Sequence, residues 1–151
     1  MSQNRDFEFM KRALELAEIA AEQGDVPVGA VIVKDGEIIS EGYNLREVDK
    51  RATAHAEMVA IDRACGQLGG WHLCGCTLYV TLEPCPMCAG ALINSRVDRV
   101  VFGLRDPKAG CLGSVLNMNR YPFNHAFDIT EGVLAEESAK LLSDFFAKKR
   151  K

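Results

Sequence analysis

The sequence predicts an α/β protein, and three observations predict it. Stretches with helical apolar spacing alternate with short apolar runs of strand length. Asp35-Gly36 separates two such runs as a hairpin turn. Gly24 and Gly69-Gly70 stand where helical segments should stop. Helices alternating with strands bury their apolar faces best as an α/β sandwich.

Phe7, Met10, Leu14, Ala17 and Ala21 recur at spacings of 3, 4, 3 and 4, which predicts a helix from about Asp6 to Gln23 with Gly24 as its cap. Val28 to Val33 is apolar except at Gly29, so this strand should be covered on both faces. A second strand follows the turn, from about Glu37 to Tyr43, and the polar stretch Asn44 to Thr53 reads as a loop. A second helix should start near Ala54 and end before Gly69-Gly70. Thr77 to Thr81 is the third strand, Pro86 to Asn94 a short helix, and Val97 to Phe102 the fourth strand. Residues 103–125 are irregular and rich in Gly, Pro and Asn, and a stretch of that length in a compact domain is usually functional. Phe127 to Thr130 reads as a fifth strand. Val133 to Lys149 reads as a last helix, with Leu134, Ser138, Leu141, Leu142 and Phe145 on one face.

The 151 residues suit one domain that buries roughly 70% of its unfolded surface. The longest apolar run, Val26 to Val33, is far too short to span a bilayer, and no secretory signal opens the chain. Six cysteines without such a signal are expected to be reduced, in the cytoplasm. The net charge of −3 does not advertise a nucleic-acid binder, but its distribution is uneven. Residues 1–93 carry 8 Lys/Arg against 14 Asp/Glu, residues 94–125 carry 5 against 2, and the chain ends Lys148-Lys149-Arg150-Lys151. A local basic surface can meet phosphates while the rest stays acidic.

Two short segments carry the chemistry: His55-Ala56-Glu57 and Pro84-Cys85-Pro86-Met87-Cys88. Together they offer three zinc ligands, His55, Cys85 and Cys88, and a carboxylate, Glu57, that is not needed as a ligand. Three ligands leave a fourth tetrahedral position open, as in catalytic rather than structural zinc. Cys85 and Cys88 are three residues apart at a helix start, where both sulfurs share a face and the helix N-terminus favours thiolate. Pro86 suits the first turn, where its missing N–H would be unpaired anyway. Singly each piece is weak: a Cys-x-x-Cys is as often redox or structural, and a lone His or Glu at a helix start is commonly packed or solvated. The rival is a closed site that adds Cys74 or Cys76. Cys76 adjoins a strand, and it, Cys65 and Cys111 read more simply as core residues.

The His-x-Glu and Pro-Cys-x-x-Cys pattern resembles that of the zinc-dependent nucleobase deaminases. Val26 to Val31, Thr53 to Glu57, Leu78 to Cys85, Met87 to Ala91, Arg99 to Gly103 and Leu141 to Phe146 are similar to segments of the bacterial tRNA-specific adenosine deaminases, over nearly the whole chain. The resemblance implies a three-layer α/β/α sandwich around a five-stranded mixed sheet of the cytidine deaminase kind, working as a homodimer. It implies one Zn2+ per chain on His55, Cys85 and Cys88, with Glu57 moving protons. The substrate it implies is the wobble adenosine of an arginine tRNA anticodon stem-loop. By position, Val28, Asn44 and Ala56 would hold the base, Asn44 by its side chain and Ala56 by its N–H. Asp106, Lys108, Asn124 and Phe146 would meet the surrounding RNA, with Arg120, Tyr121 and Phe123 nearby. His72 and Trp71 read as loop packing. Two other readings stay open: a deaminase of a free base or nucleoside such as guanine or cytosine, and a non-enzymatic zinc or redox domain.

Overall fold

The structure, a computed structural model, describes residues 2–149 and the side chains of residues 5–149. Met1 and the last two residues of the basic tail, Arg150 and Lys151, lie outside the described residues. In chain order the elements are α1 (Ser2–Glu22), β1 (Gly29–Lys34), β2 (Glu37–Tyr43), α2 (Arg46–Asp49), α3 (Ala56–Leu68), β3 (Cys76–Leu82), α4 (Pro86–Asn94), β4 (Arg99–Leu104), β5 (Asp128–Thr130) and α5 (Ala135–Lys149).

Strand residues alternate between two faces, and this alternation builds the layers. Ala30, Ile32, Leu78, Val80, Val100 and Phe102 face α3 and α4, whereas Val31, Val33, Tyr79 and Val101 face α1. α5 packs beside α1 against β4 and β3. The result is the expected α/β/α sandwich. The sheet has five strands in the order β2-β1-β3-β4-β5. β1 runs antiparallel to β2 and β3, while β3, β4 and β5 are parallel, so the sheet is mixed. Asp35 and Gly36 turn the β1–β2 hairpin with positive φ, as the Asp-Gly signal predicts. Ile32 pairs with Ser40 and Val33 with Ile38, which leaves Ile39 as a bulge.

Several expectations shift. The helical spacing places Phe7 on the buried face of α1, but Phe7 is 46% exposed. The buried stripe is Phe9, Met10, Ala13, Leu16, Ala17 and Ala20. The cause is close approach: a β-carbon on Gly29 would overlap the Ala13 carbonyl and lie 2.7 Å from the Ala17 nitrogen. The small-residue stripe of α1 therefore rests directly on β1. The predicted loop after Asn44 contains α2. Buried Asp25 fixes it, its Oδ2 accepting from the Glu47 N–H at 2.8 Å. β4 begins at Arg99, not Val97, because the chain first turns through left-handed Arg96. α5 begins at Ala135 because Gly132 and Leu134 both have positive φ. Trp71 is exposed and stacks on His72, so neither packs into the core.

α3 lies on β2 as closely as α1 lies on β1. A β-carbon on Gly42 would stand 2.5 Å from the Ala56 carbonyl oxygen and 2.7 Å from the Ala60 nitrogen. At the other end of the sheet, a polar clamp joins four elements. Arg99 donates to both Asp6 oxygens at 3.0 and 2.7 Å and to the Thr130 hydroxyl, and the Tyr79 hydroxyl donates to Asp6 at 2.7 Å.

Gly42→Ala should destabilise the fold by about 2 kcal/mol through overpacking. Gly66→Ala on the open face of α3, where nothing lies within 4 Å, should stabilise by about 0.5–1 kcal/mol. Urea unfolding of the two variants checks the opposite signs. Burial pushes the Asp6 carboxyl up, but Arg99 and Tyr79 outweigh it and hold it below its ordinary value. A lowered carboxyl stabilises fully above the ordinary Asp range and loses that contribution as the pH falls through its own lowered value. Asp6→Asn should cost about 2 kcal/mol at neutral pH. Its urea midpoint should converge on that of the unaltered chain as the pH falls below that lowered value.

Candidate active site

The site sits where two helices begin. His55 precedes α3 and Cys85 precedes α4, both with extended backbone (φ −73°, ψ 153° and φ −77°, ψ 177°). Their carbonyls accept the first helical bonds, from Val59 at 3.0 Å and Ala89 at 2.9 Å. Neither side chain caps its helix, so both are free to point elsewhere. Pro86 occupies the first turn of α4, and Cys88, one turn on, is fully buried.

The three side chains converge. His55 Nδ1 lies 3.6 Å from Cys85 Sγ and 3.7 Å from Cys88 Sγ. Tetrahedral zinc, with bonds of about 2.0–2.1 Å to nitrogen and about 2.3 Å to sulfur, would hold such atoms about 3.6 Å apart. The donor set thus fits zinc in size and chemistry. Among the described residues this is the one cluster of three or more potential ligands. Cys74 is exposed and Cys76 is buried within β3, and neither joins it, so the closed four-ligand site is not formed. Cys85 is pulled down to about 4, first by the Cys88 S–H and also by the His55 ring. Cys88 is pushed up, because it donates to Cys85 and is buried. One thiolate is therefore already present, and a cation would displace the proton on the second.

Glu57 lies in the first turn of α3, 4% exposed and outside the ligand cluster. Burial pushes its carboxyl up to about 7, against the opposing pull of its own backbone N–H and of His55. Asn44 directly follows β2 and is buried. Its Oδ1 accepts from the Ala56 N–H at 2.8 Å and its Nδ2 donates to the Val26 carbonyl at 3.0 Å. The sequence reading treats Asn44 and Ala56 as two separate holders of a base; the structure bonds them to each other. The Ala56 N–H is committed to orienting the Asn44 amide, which keeps one Nδ2 proton free.

Val26, Val28, Asn44, Arg46, His55, Glu57, Leu82, Glu83, Cys85, Asp106 and Ala109 enclose a cavity of about 230 Å³. Of the residues singled out in the sequence, Val28, Asn44 and Asp106 thus stand in its wall with Glu57 and two ligands. Lys108, Asn124 and Phe146 are exposed and lie outside it. Tyr121 and Phe123 are exposed too, edge-to-face at 6.2 Å, so they are not core residues. The His125 ring is bonded to the Val97 carbonyl at 2.6 Å.

Sequence reasoning missed Glu83 and Arg46. Buried Glu83 organises the irregular segment: its carboxylate accepts from the N–H groups of Asp106, Leu112 and Ser114, each at 3.0 Å, and from the Ser114 hydroxyl. Burial pushes this carboxyl up, but those donors together outweigh it and keep it lowered. The Asp106 side chain is used locally, accepting from the N–H groups of Lys108 and Ala109. A signal for Glu83 was present, an acidic residue between an apolar strand and Pro-Cys, but its partners lie more than twenty residues away. Arg46 carries no motif.

A mixed sheet with layered helices, three convergent zinc-type ligands and an unligated buried glutamate in one cavity define a nucleobase deaminase. Residues 4–150 match the family model described as MafB19-like deaminase. The chain is 55% identical over 144 residues to the tRNA-specific adenosine deaminase of Bacillus subtilis, covering 95% of this chain and 89% of that protein. It is 48% identical to that of Haemophilus influenzae, covering 96% and 85%. A solved structure of a tRNA:A34 deaminase superimposes with a TM-score of 0.87 at 43% identity, over 89% of this chain and 99% of that one. The guanine deaminase of Nitrosomonas europaea gives 0.79 at 25%, over 93% and 84%. The chain belongs to the family of tRNA-specific adenosine deaminases.

Cys88→Ser should lower bound zinc well below one per chain, while Cys76→Ser, outside the cluster, should leave it near one. Metal analysis of the two purified proteins checks this; stoichiometric zinc in Cys88→Ser would refute the ligand assignment.

Proposed function

We propose that this chain is a zinc-dependent enzyme that converts the wobble adenosine of a tRNA anticodon to inosine, with arginine tRNA as its first substrate. The observation that carries the reading is Glu57: a buried carboxyl facing the cavity beside a three-ligand cluster it does not join. Zinc held by His55, Cys85 and Cys88 would activate a water at neutral pH. The overall reaction consumes water and adenosine and releases inosine and ammonia. Glu57 is poised to take a proton and give one back, because its carboxyl is buried in the cavity wall beside the ligand cluster and is not used as a ligand. It accepts one water proton and delivers it to the ring nitrogen, then takes the second from the hydroxyl added at C6 and gives it to the amino group as the C–N bond breaks and ammonia leaves. The free Nδ2 proton of Asn44 meets an acceptor on the base edge, and Val26, Val28 and Leu82 pack against its faces.

The cavity fits a base turned out of its stack, with the rest of the RNA left outside. Exposed Lys108, Arg120 and Asn124 supply polar and cationic contacts, and Tyr121, Phe123 and Phe146 supply stacking faces. Asp106 borders both the cavity and this outer surface. Val115 and Leu116 add exposed apolar area, Leu116 in one groove with Tyr121, which supports a homodimer whose partner covers part of that surface. The enzyme is one domain and acts in the cytoplasm. Six free cysteines fit a reducing compartment, and no helix among the described residues is long and apolar enough to cross a membrane.

The first test is ammonia release by the zinc-loaded protein. It is offered an arginine-tRNA anticodon stem-loop with a wobble adenosine, beside free adenosine, guanine and cytidine. Release from the stem-loop is expected; release from a free base or nucleoside alone would keep the chemistry and refute the RNA substrate. Glu57→Ala should retain zinc and fold while turnover falls by about 10²–10⁴-fold or more. Loss of zinc from that variant would make Glu57 a ligand and overturn its role.

A further inference from the structure

Arg46 is the one arginine or lysine among the residues that enclose the cavity. The other ionisable groups there are Glu57, Glu83 and Asp106 as acids, with His55 and Cys85 in the ligand cluster. Arg46 Nε is buried and has no hydrogen-bond partner. A buried donor of a cationic group left unpaired is costly, and its persistence calls for an explanation. The residue is held in place by its surroundings. Asp25 Oδ2 takes the next N–H, that of Glu47, at 2.8 Å. The Leu45 N–H donates to the Ala54 carbonyl at 2.9 Å, and left-handed Lys50 closes α2 onto the Arg46 carbonyl. α2 is thereby tied to the β1 lead-in on one side and to the α3 lead-in on the other.

Arg46 also differs in depth from its neighbours. Asn44 and Glu57 are buried, whereas Arg46 is partly exposed although its Nε is buried, so of these three Arg46 is the one that reaches from the cavity wall to solvent, at the mouth. A nucleotide that enters base-first leaves its phosphodiester at that mouth. A guanidinium presents forked donors that match two phosphate oxygens. We propose that Arg46 binds a phosphodiester adjoining the flipped adenosine, and so selects a polynucleotide over a free base or nucleoside. This rests on the wobble-adenosine reading above. It places a positive charge at the entrance to an otherwise acidic cavity, where a phosphate would be repelled. Exposed Lys108 and Arg120 meet the RNA outside; Arg46 meets it at the reacting nucleotide.

The test is steady-state kinetics of the zinc-loaded protein on the anticodon stem-loop over a range of salt concentrations. Arg46→Ala should raise KM about tenfold and change kcat less than about twofold. The slope of log(1/KM) against log[salt] should become shallower by about 0.7–1, the signature of one lost phosphate contact. Arg46→Lys should restore the salt slope but only part of KM, because an ammonium lacks the fork. Stem-loops carrying single uncharged methylphosphonate linkages locate the contact. One linkage beside the wobble nucleotide should weaken binding to the unaltered protein and leave Arg46→Ala indifferent. Equal KM and equal salt slope in Arg46→Ala, with the unaltered enzyme active, would overturn this proposal alone. An unaltered enzyme inactive on the stem-loop would overturn the wobble reading and this proposal with it.

Discussion

Helices α3 and α4 begin on residues that do not cap them, and the site depends on that. A residue at this position normally has a side-chain oxygen that accepts from a first-turn N–H, and losing such a cap costs about 0.5–2 kcal/mol. His55 and Cys85 withhold their side chains from α3 and α4 and turn them towards each other, 3.6 Å apart. Starting both helices beside the cavity leaves the cluster open to it. The cost is met by packing elsewhere: α3 lies so close on β2 that only glycine fits at position 42, and Cys88 and Ala89 are buried under the sheet.

Much of this was legible in the chain. The strand–helix alternation is local and strong, and the bounds of β2 and α4 were readable to the residue because Asp35-Gly36 and Cys85-Pro86 punctuate them. The ligand set was readable because each residue type has chemistry that its spacing reinforces. The face of α1 was not. That helix carries two overlapping apolar stripes, one through Phe7 and one through Phe9, and periodicity alone does not rank them. Gly29 ranks them, by demanding Ala13 and Ala17 beneath it, and Gly29 is not part of the helix. α2 escaped for a related reason: four residues carry too little periodicity, and the carboxylate that fixes them belongs to Asp25.

The irregular segment after β4 shows how a loop can be rigid without regular structure. One buried carboxylate, Glu83, gathers N–H groups from Asp106, Leu112 and Ser114 that no strand or helix would otherwise pair. A β-carbon on Gly110 would collide with that carboxylate, so the loop wraps it tightly. Since Glu83 is two residues from Cys85, the wall that carries Asp106 and Ala109 is anchored next to the ligands themselves. The loop is thereby fixed in place relative to the metal position.

The antiparallel pairing of β1 with β3 matters beyond the sheet. All three ligands and Glu57 fall within residues 55–88, so that stretch looks like a transferable cassette. The cavity is not contained in it. Val26 and Val28 come from the entrance to β1, Asn44 from directly after β2, and Asp106 from beyond β4. These reach the ligands only because Ala30 pairs with Val80, which sets the start of β1 beside the end of β3. Grafted onto another scaffold, residues 55–88 would carry a metal centre and leave behind the walls that choose its substrate.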